Sequence, residues 1–502
     1  MSGKNYIYSQ YDNSVLAEGD DQSVYKSIDL FWHYQERGSF TLNGKPSQSA
    51  ESAGINLARP LLTWNGTGQQ ATGKGATVTF AFPTWTEHNK NGYGDGGLSG
   101  LDATQRAFAK ASLQAWADVA NLKFKELPAS QSQNAQIKFG NFTQVNDDDF
   151  NYASYPHTLE NNQPILDDWG NDMSGQVWVL DLPENRDPAS GGGYGAQVFT
   201  HELGHALGLD HPGSYNGGAP TYRNDGAYAE DTNQFSIMSY FSEVSPASNP
   251  TIGDFKGYYA SAPLMDDIAG MQYLYGANTT AFNADTVYGF HSNTGRGYLS
   301  ATDSNSNSNS KLIFSAWDTG GNDTFDFSGF AGKQRINLNE GAFSDVGGLK
   351  GNVSITQGTH IENAIGGSGN DILVGNALNN QLKGGAGNDF IFGGAGADTL
   401  WGGAGKDTFA YAAASNSTAK TPDWIKDFTT GVDKIDLSAF AGEINFVKAF
   451  TGEANEATLT LNSGNSVLAL DLRGHDADNT GWQPDFLLKI VGQANANTDF
   501  IV

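Results

Sequence analysis

Between residues 366 and 410 the chain repeats every nine residues: "GGSGNDILV", "GNALNNQLK", "GGAGNDFIF", "GGAGADTLW" and "GGAGKDTFA". The template is G-G-x-G-x-D-x-apolar-x, and it dictates local structure more tightly than anything else in the chain. The glycines permit backbone angles that a Cβ forbids, so the first six residues make a turn. The last three make a short strand with one apolar side chain facing inward: Leu373, Leu382, Ile391, Leu400 and Phe409. Two nonapeptides complete one coil, which brings turns on one side back every eighteen residues.

Each such turn points carbonyl oxygens and one Asp carboxylate at a hard cation, and calcium is the ion that suits oxygen ligands. Asp371, Asp389 and Asp407 then line one edge of the coil and Asp398 the other. The second repeat carries Asn376 and Asn380 where the template has Gly and Asp, so a weaker or neutral-ligand site is expected there. The fragment "DTGGNDTFDF" (318–327) is a partial copy. Several structural Ca2+ ions are the expected cofactor of this region. With few counter-ions the carboxylates repel, so folding is expected to follow calcium.

Composition agrees. The chain has 55 Asp and Glu against 28 Lys and Arg, a formal net charge of −27, with many acids in Gly/Asn/Asp clusters. Such a balance argues against nucleic acid and anionic membrane surfaces as partners. The 63 Gly against 15 Pro, without a three-residue period, exclude collagen. There is no cysteine, which removes disulfides, cysteine–zinc sites and cysteine nucleophiles together.

A length of 502 residues predicts two or three domains. Residues 1–20 are polar and acidic, with no apolar core of a Sec signal peptide, and nowhere is an apolar run long enough to span a bilayer. Residues 21–275 read as a mixed α/β domain, and from 276 the composition shifts to Asn, Gly, Asp and Ser. Helices are expected at 27–38, at 101–124 with Asp102 as N-cap, and at 264–276. On the second, Phe108, Ala111, Ala115, Trp116 and Val119 are expected to share the buried face. Strands are expected at 76–85, 135–142 and 175–182, the last a candidate edge for strand addition by a substrate. The "SNSNSNS" tract (304–310) reads as a surface loop.

The second motif is "HELGHALGLDH", His201 to His211. Positions four apart on a helix lie on one face, so His201 and His205 can offer two nitrogens to one ion. Glu202 projects close enough to reach a water on that ion. Gly208 can turn the chain out of the helix, and Pro212 prevents its continuation, which brings His211 back as a third ligand. Three imidazoles leave an open position, the mark of a catalytic zinc. Downstream, "FSIMSYF" (235–241) places Met238 as an apolar floor and Tyr240 within reach of the metal.

With these motifs in hand, the chain resembles the serralysins, metzincin zinc endopeptidases with a C-terminal calcium β-roll. The resemblance covers nearly the whole length and includes the terminal "DFIV" (499–502), similar to an uncleaved type I export signal. It implies an α+β catalytic domain over 21–275 followed by an all-β parallel roll over 276–502, and a propeptide over 1–20. It implies His201, His205 and His211 as zinc ligands and Glu202 as general base. Tyr240 would ligate zinc at rest and move to stabilise the oxyanion, with Gly208 and Met238 structural. For calcium it implies Gly367, Gly369 and Asp371 with Gly384, Ala386 and Asp389 one coil later, continued by Gly385, Gly387 and Asp407. It also implies Asp318, Gly320, Asp323 and Glu362 for sites nearer the catalytic domain. The expected partners are protein substrates, type I secretion machinery and a small protein inhibitor, for a secreted monomer of a Gram-negative bacterium.

Two rivals differ in class. A calcium-dependent binding or adhesion protein with an inert catalytic domain is opposed by the intact Glu202 and histidines. A lipase on a β-roll is opposed by the lack of a G-x-S-x-G nucleophile elbow.

Overall fold

The computed structural model describes residues 37–502 apart from 43, 87–89, 92–93, 144–149, 158, 161–162, 165, 167–171, 187–192, 245–252, 303–310, 441 and 476–482. The expected segment 1–20, most of the expected helix 27–38 and the Ser/Asn tract lie outside the described residues. The chain divides into two compact units. One comprises Met1–Asp187, Gly195–Asp254 and Pro263–Ala277, the other Pro188–Tyr194, Phe255–Ala262 and Asn278–Val502.

In the first unit α1 (Ala50–Leu57), α2 (Ala103–Val119), α3 (Tyr194–Ala206) and α4 (Met265–Tyr275) accompany a five-stranded sheet. Its strands are β1 (Ala76–Ala81), β2 (Leu122–Glu126), β3 (Ile137–Phe142), β4 (Tyr152–Ala153) and β5 (Gln176–Leu180), in the order β2-β1-β3-β5-β4. Only β4 runs antiparallel to its neighbour. Asp102 caps α2 as expected, accepting from Gln105 N at 2.9 Å while the Gln105 side chain returns the bond.

Two expectations in this unit need correction. Ala111 faces solvent, and the buried stripe of α2 runs through Ala109, Ser112, Leu113, Ala115, Trp116 and Val119. The strand at 175–182 is not a sheet edge. All five residues of β5 are buried, and β3 and β4 flank it. A strand covered on both faces and paired on both sides has no ladder groups left for a substrate. The terminal strand of the sheet on that side is β4.

In the second unit short parallel strands stack as rungs. A ten-stranded sheet includes Thr324–Asp326, Asn363–Ile365, Gln381–Ala386 and Thr399–Ala404, and a six-stranded sheet includes Ile372–Val374, Phe390–Phe392 and Thr408–Ala410. Leu382 lies opposite Leu400, and Leu373 opposite Ile391 opposite Phe409. These registers are eighteen residues apart, so two nonapeptides make one coil. The five inward residues are fully buried, in one core with Tyr288, Phe325, Ile425 and Ile435. Burial on that scale contributes roughly 1.5–3 kcal/mol per large side chain. The partial copy at 318–327 is also a rung, through Thr324–Asp326. The terminal Phe500–Ile501 pairs with Ile435 and Asp436 as the last strand of the six-stranded sheet.

Candidate active site and calcium stack

Helix α3 ends where the chain needs it to. Gly208 has φ +109°, and a Cβ there would come 2.1 Å from the Leu62 carbonyl oxygen. Trp64 Nε1 donates to Ala206 O at 3.0 Å and the Tyr275 hydroxyl to Leu207 O at 2.9 Å, which satisfies carbonyls freed at the helix end. The chain then reverses and returns His211.

The three imidazoles converge. His211 Nε2 lies 3.0 Å from His205 Nε2 and 3.3 Å from His201 Nε2. Each Nδ1 faces a backbone carbonyl: His201 to Ile237 O at 2.8 Å, His205 to Leu209 O at 2.8 Å, His211 to Tyr215 O at 2.9 Å. Those carbonyls fix the proton on Nδ1 and leave three bare Nε2 lone pairs facing one another. Burial lowers the pKa of His201 to about 3 and of His205 to about 4, and pushes His211 further down, so all three are neutral. Lone pairs packed this closely repel unless a cation sits between them, and a tetrahedral dication such as Zn2+ fits that donor set. Among the described residues this is the one such group of His, Cys, Asp or Glu.

Glu202 lies buried beside them. Its Oε2 has no hydrogen-bond partner, and burial raises its pKa to about 8. A nearby cation would lower it again. Tyr240 stands at the rim, 38% exposed, its ring centroid 4.5 Å from that of His211 and 5.9 Å from that of His201. Met238 lies under α3, where a Cβ on Gly204 would meet its sulfur.

Several supporting residues had no motif to reveal them. Arg59 follows α1. It donates to His211 O at 2.5 Å and Gly213 O at 3.2 Å, and pairs with Asp210 Oδ2 at 2.7 Å. Asp210 Oδ1 accepts from His211 N at 2.8 Å. Asp231 accepts from the Tyr215 hydroxyl at 2.8 Å and from Ser239 Oγ at 2.7 Å. Asp267, in the first turn of α4, accepts from Ser236 Oγ at 2.6 Å and Ile237 N at 2.7 Å, which pins the turn ahead of Met238. Each contact spans a long sequence separation or a residue type common in loops.

In the second unit the aspartates form two ladders. Asp371 N donates to Asp389 Oδ1 at 2.8 Å, Asp389 N to Asp407 Oδ1 at 2.9 Å, and Asp407 N to Asp433 Oδ1 at 3.1 Å. On the other edge Asn380 N donates to Asp398 Oδ1 and Asp398 N to Asp423 Oδ1, both at 2.8 Å. The Oδ2 atoms of Asp389, Asp398, Asp407 and Asp423 are buried without partners, the state expected of oxygens that await a cation. Asp423 and Asp433 escape the repeat pattern because they follow Asp398 and Asp407 by 25 and 26 residues.

The turns stack as the nonapeptides require. A Cβ on Gly385 would stand 2.2 Å from Gly367 O, and one on Gly387 2.1 Å from Gly369 O. Ala386 N donates to Gly367 O at 3.0 Å, and a Cβ on Gly384 would meet Asp389 Oδ2. Asp318, Gly320, Asp323 and Glu362 also come together. Gly320 N donates to Asp318 Oδ1 at 2.9 Å and Asp323 N to Glu362 Oε2 at 2.8 Å, while Asp323 Oδ2 is unpartnered. Burial pushes Asp323 up to about 8, with Asp318 and Glu362 adding repulsion.

The second repeat is wired differently. Asn376 Nδ2 donates to Leu338 O at 2.9 Å and Ile361 O at 3.0 Å, and Asn380 Nδ2 to Glu362 O at 2.9 Å. Here side-chain amide N–H groups reach carbonyls of neighbouring segments at the positions where the template carries Gly and Asp.

Comparison with known proteins follows the same division. Residues 99–229 match the matrixin family and residues 277–502 match the peptidase M10 serralysin C-terminal family. The chain is 51% identical over 503 residues to serralysin B of Dickeya chrysanthemi, covering 98% of each. It is 49% identical to a serralysin of Proteus mirabilis, covering 91% of this chain and 93% of that one. It is 46% identical to metalloprotease AprA of Pseudomonas entomophila, covering 97% of each. A relation this close over this length, joined to the three converging imidazoles, places the chain in the serralysin family of metalloproteases.

Proposed function

We infer that the chain is a secreted zinc-dependent endopeptidase that hydrolyses peptide bonds of proteins with broad specificity. The observation that carries this reading is the buried, unpartnered Glu202 Oε2 beside three bare imidazole nitrogens. His201, His205 and His211 would hold the ion. Bound there, zinc supplies a Lewis acid that polarises a carbonyl and acidifies a water. Glu202 takes the water's proton and passes it to the leaving amine. Tyr240, on the open side of the histidines, donates a hydrogen bond from its hydroxyl to the oxygen on which charge develops. Burial of the site keeps bulk water from competing for these hydrogen bonds.

The calcium assignments belong to the same reading: Asp371, Asp389, Asp398 and Asp407, the stacked Gly367, Gly369, Gly384, Gly385, Ala386 and Gly387, and the group Asp318, Gly320, Asp323 and Glu362. Residues 1–20 would be a propeptide, 21–275 the protease and 276–502 the roll, with type I export through the C-terminus. A small protein inhibitor would be a further partner. No helix among the described residues is long and apolar enough to cross a membrane.

The deciding experiment is casein hydrolysis by the purified protein with and without a zinc chelator. Loss of activity on chelation and return with zinc is expected. Hydrolysis that persists in the chelator would overturn the assignment. Circular dichroism during a calcium titration tests the roll, with ordering of the C-terminal half expected.

A further inference from the structure

The cleft over the histidines has a volume of about 400 Å³, and among the described residues three acids line it with no lysine or arginine: Glu202, Asp210 and Asp95. They differ in their compensation. Arg59 neutralises Asp210, and Glu202 lies against the metal ligands. Among the described residues Asp95 has only neutral donors. Its Oδ2 accepts from Asn91 Nδ2 at 3.0 Å and from the Tyr152 hydroxyl, and its Oδ1 accepts nothing from the described residues.

Asp95 is also held firmly. Asn91 Oδ1 accepts from Asp95 N at 3.0 Å, Asn91 N donates to Asp95 O at 2.9 Å, and Thr143 N donates to Gly96 O at 3.1 Å just past the end of β3. Beside it Tyr152 lies 5.5 Å from Phe142, centroid to centroid, and Phe150 is 46% exposed. An aromatic wall that leads to an uncompensated carboxylate suits a long apolar stem with a cationic head.

We propose that Asp95 and the Tyr152–Phe150 wall form a substrate subsite that selects a lysine or arginine side chain of the protein being cut. The inference rests on the peptidase reading and names the substrate chemistry of that cleft. The stem lies along the rings, and the ammonium or guanidinium donates to Asp95 Oδ1. Tyr152 belongs to β4, the terminal strand of the sheet, so a substrate lying along that side of the cleft would present a side chain to this wall.

The test uses the purified full-length protein and matched quenched peptides that carry lysine or norleucine at one position, scanned along both sides of the scissile bond. At one position kcat/KM should favour lysine about tenfold, a typical worth of one charge-assisted hydrogen bond. Asp95→Asn should bring that ratio near one, whereas Tyr152→Phe, which keeps the charge, should retain it. In the unmodified protein the ratio should shrink as salt is raised, a readout that does not depend on either variant folding. The subsite is overturned by a ratio that survives Asp95→Asn, by no lysine preference at any position, or by a ratio indifferent to salt. Hydrolysis of both peptides that a zinc chelator leaves intact would instead overturn the peptidase reading.

Discussion

Gly204 and Met238 are in direct contact: a Cβ built on Gly204 would stand 2.5 Å from the Met238 sulfur. A glycine inside a helix costs about 1 kcal/mol against alanine, so the helix gives up propensity to let the methionine turn reach the underside of the histidines. Gly204→Ala should therefore lose more from the clash than it gains from the helix. We expect a net destabilisation of about 1–3 kcal/mol with a fall in zinc retention, read by thermal unfolding and metal analysis. A variant as stable as the parent would show that Met238 yields freely.

Glu202→Gln separates proton transfer from metal binding. The carboxylate is lost and the shape is kept, so kcat should fall by about 10²–10⁴-fold. Zinc content should match the parent, because the three imidazoles and their backbone acceptors are untouched.

Arg59→Ala removes the clamp on the segment that carries His211. Its donors to His211 O and Gly213 O and its pair with Asp210 vanish together. Loss of such an outer contact typically weakens metal binding about 10–100-fold. Competition with a coloured chelator should show that loss, with far-UV dichroism unchanged.

The calcium-free roll should prefer acid. Burial raises the pKa of Asp371 and Asp407 to about 6, of Asp389 to about 7 and of Asp398 to about 8. In the unfolded chain these carboxyls titrate near 4. A group whose folded pKa is the higher one stabilises the fold fully below pH about 4 and loses that contribution as pH climbs through about 6–8. In a calcium-free buffer the unfolding midpoint of the C-terminal unit should drop as pH rises from 5 to 8. Saturating calcium should flatten the dependence.

Asn376→Ala should weaken the second repeat whether or not calcium is present. The amide gives two hydrogen bonds to carbonyls of Leu338 and Ile361, and their loss should cost about 1–3 kcal/mol. The number of calcium ions bound per chain should not change.

The coil spacing, the five inward apolar residues and the turn at Gly208 were legible because each follows from a local rule: a fixed period, or a residue that alone tolerates a given backbone angle. The rest was not, for definable reasons. Asp423 and Asp433 continue the ladders, but the segments ahead of them break the nine-residue period. Arg59, Asp231 and Asp267 support the histidines across gaps that no short motif spans. The edge was assigned to residues 175–182 because local pattern says nothing about what pairs on either side, and it belongs to β4.

Phe500 and Ile501 complete the six-stranded sheet beside Ile435 and Asp436. Without that pairing the sheet would end at Lys434–Asp436 and leave those ladder groups uncovered. The outer rung of this sheet is thus supplied by residues far along the chain from the strand they cover.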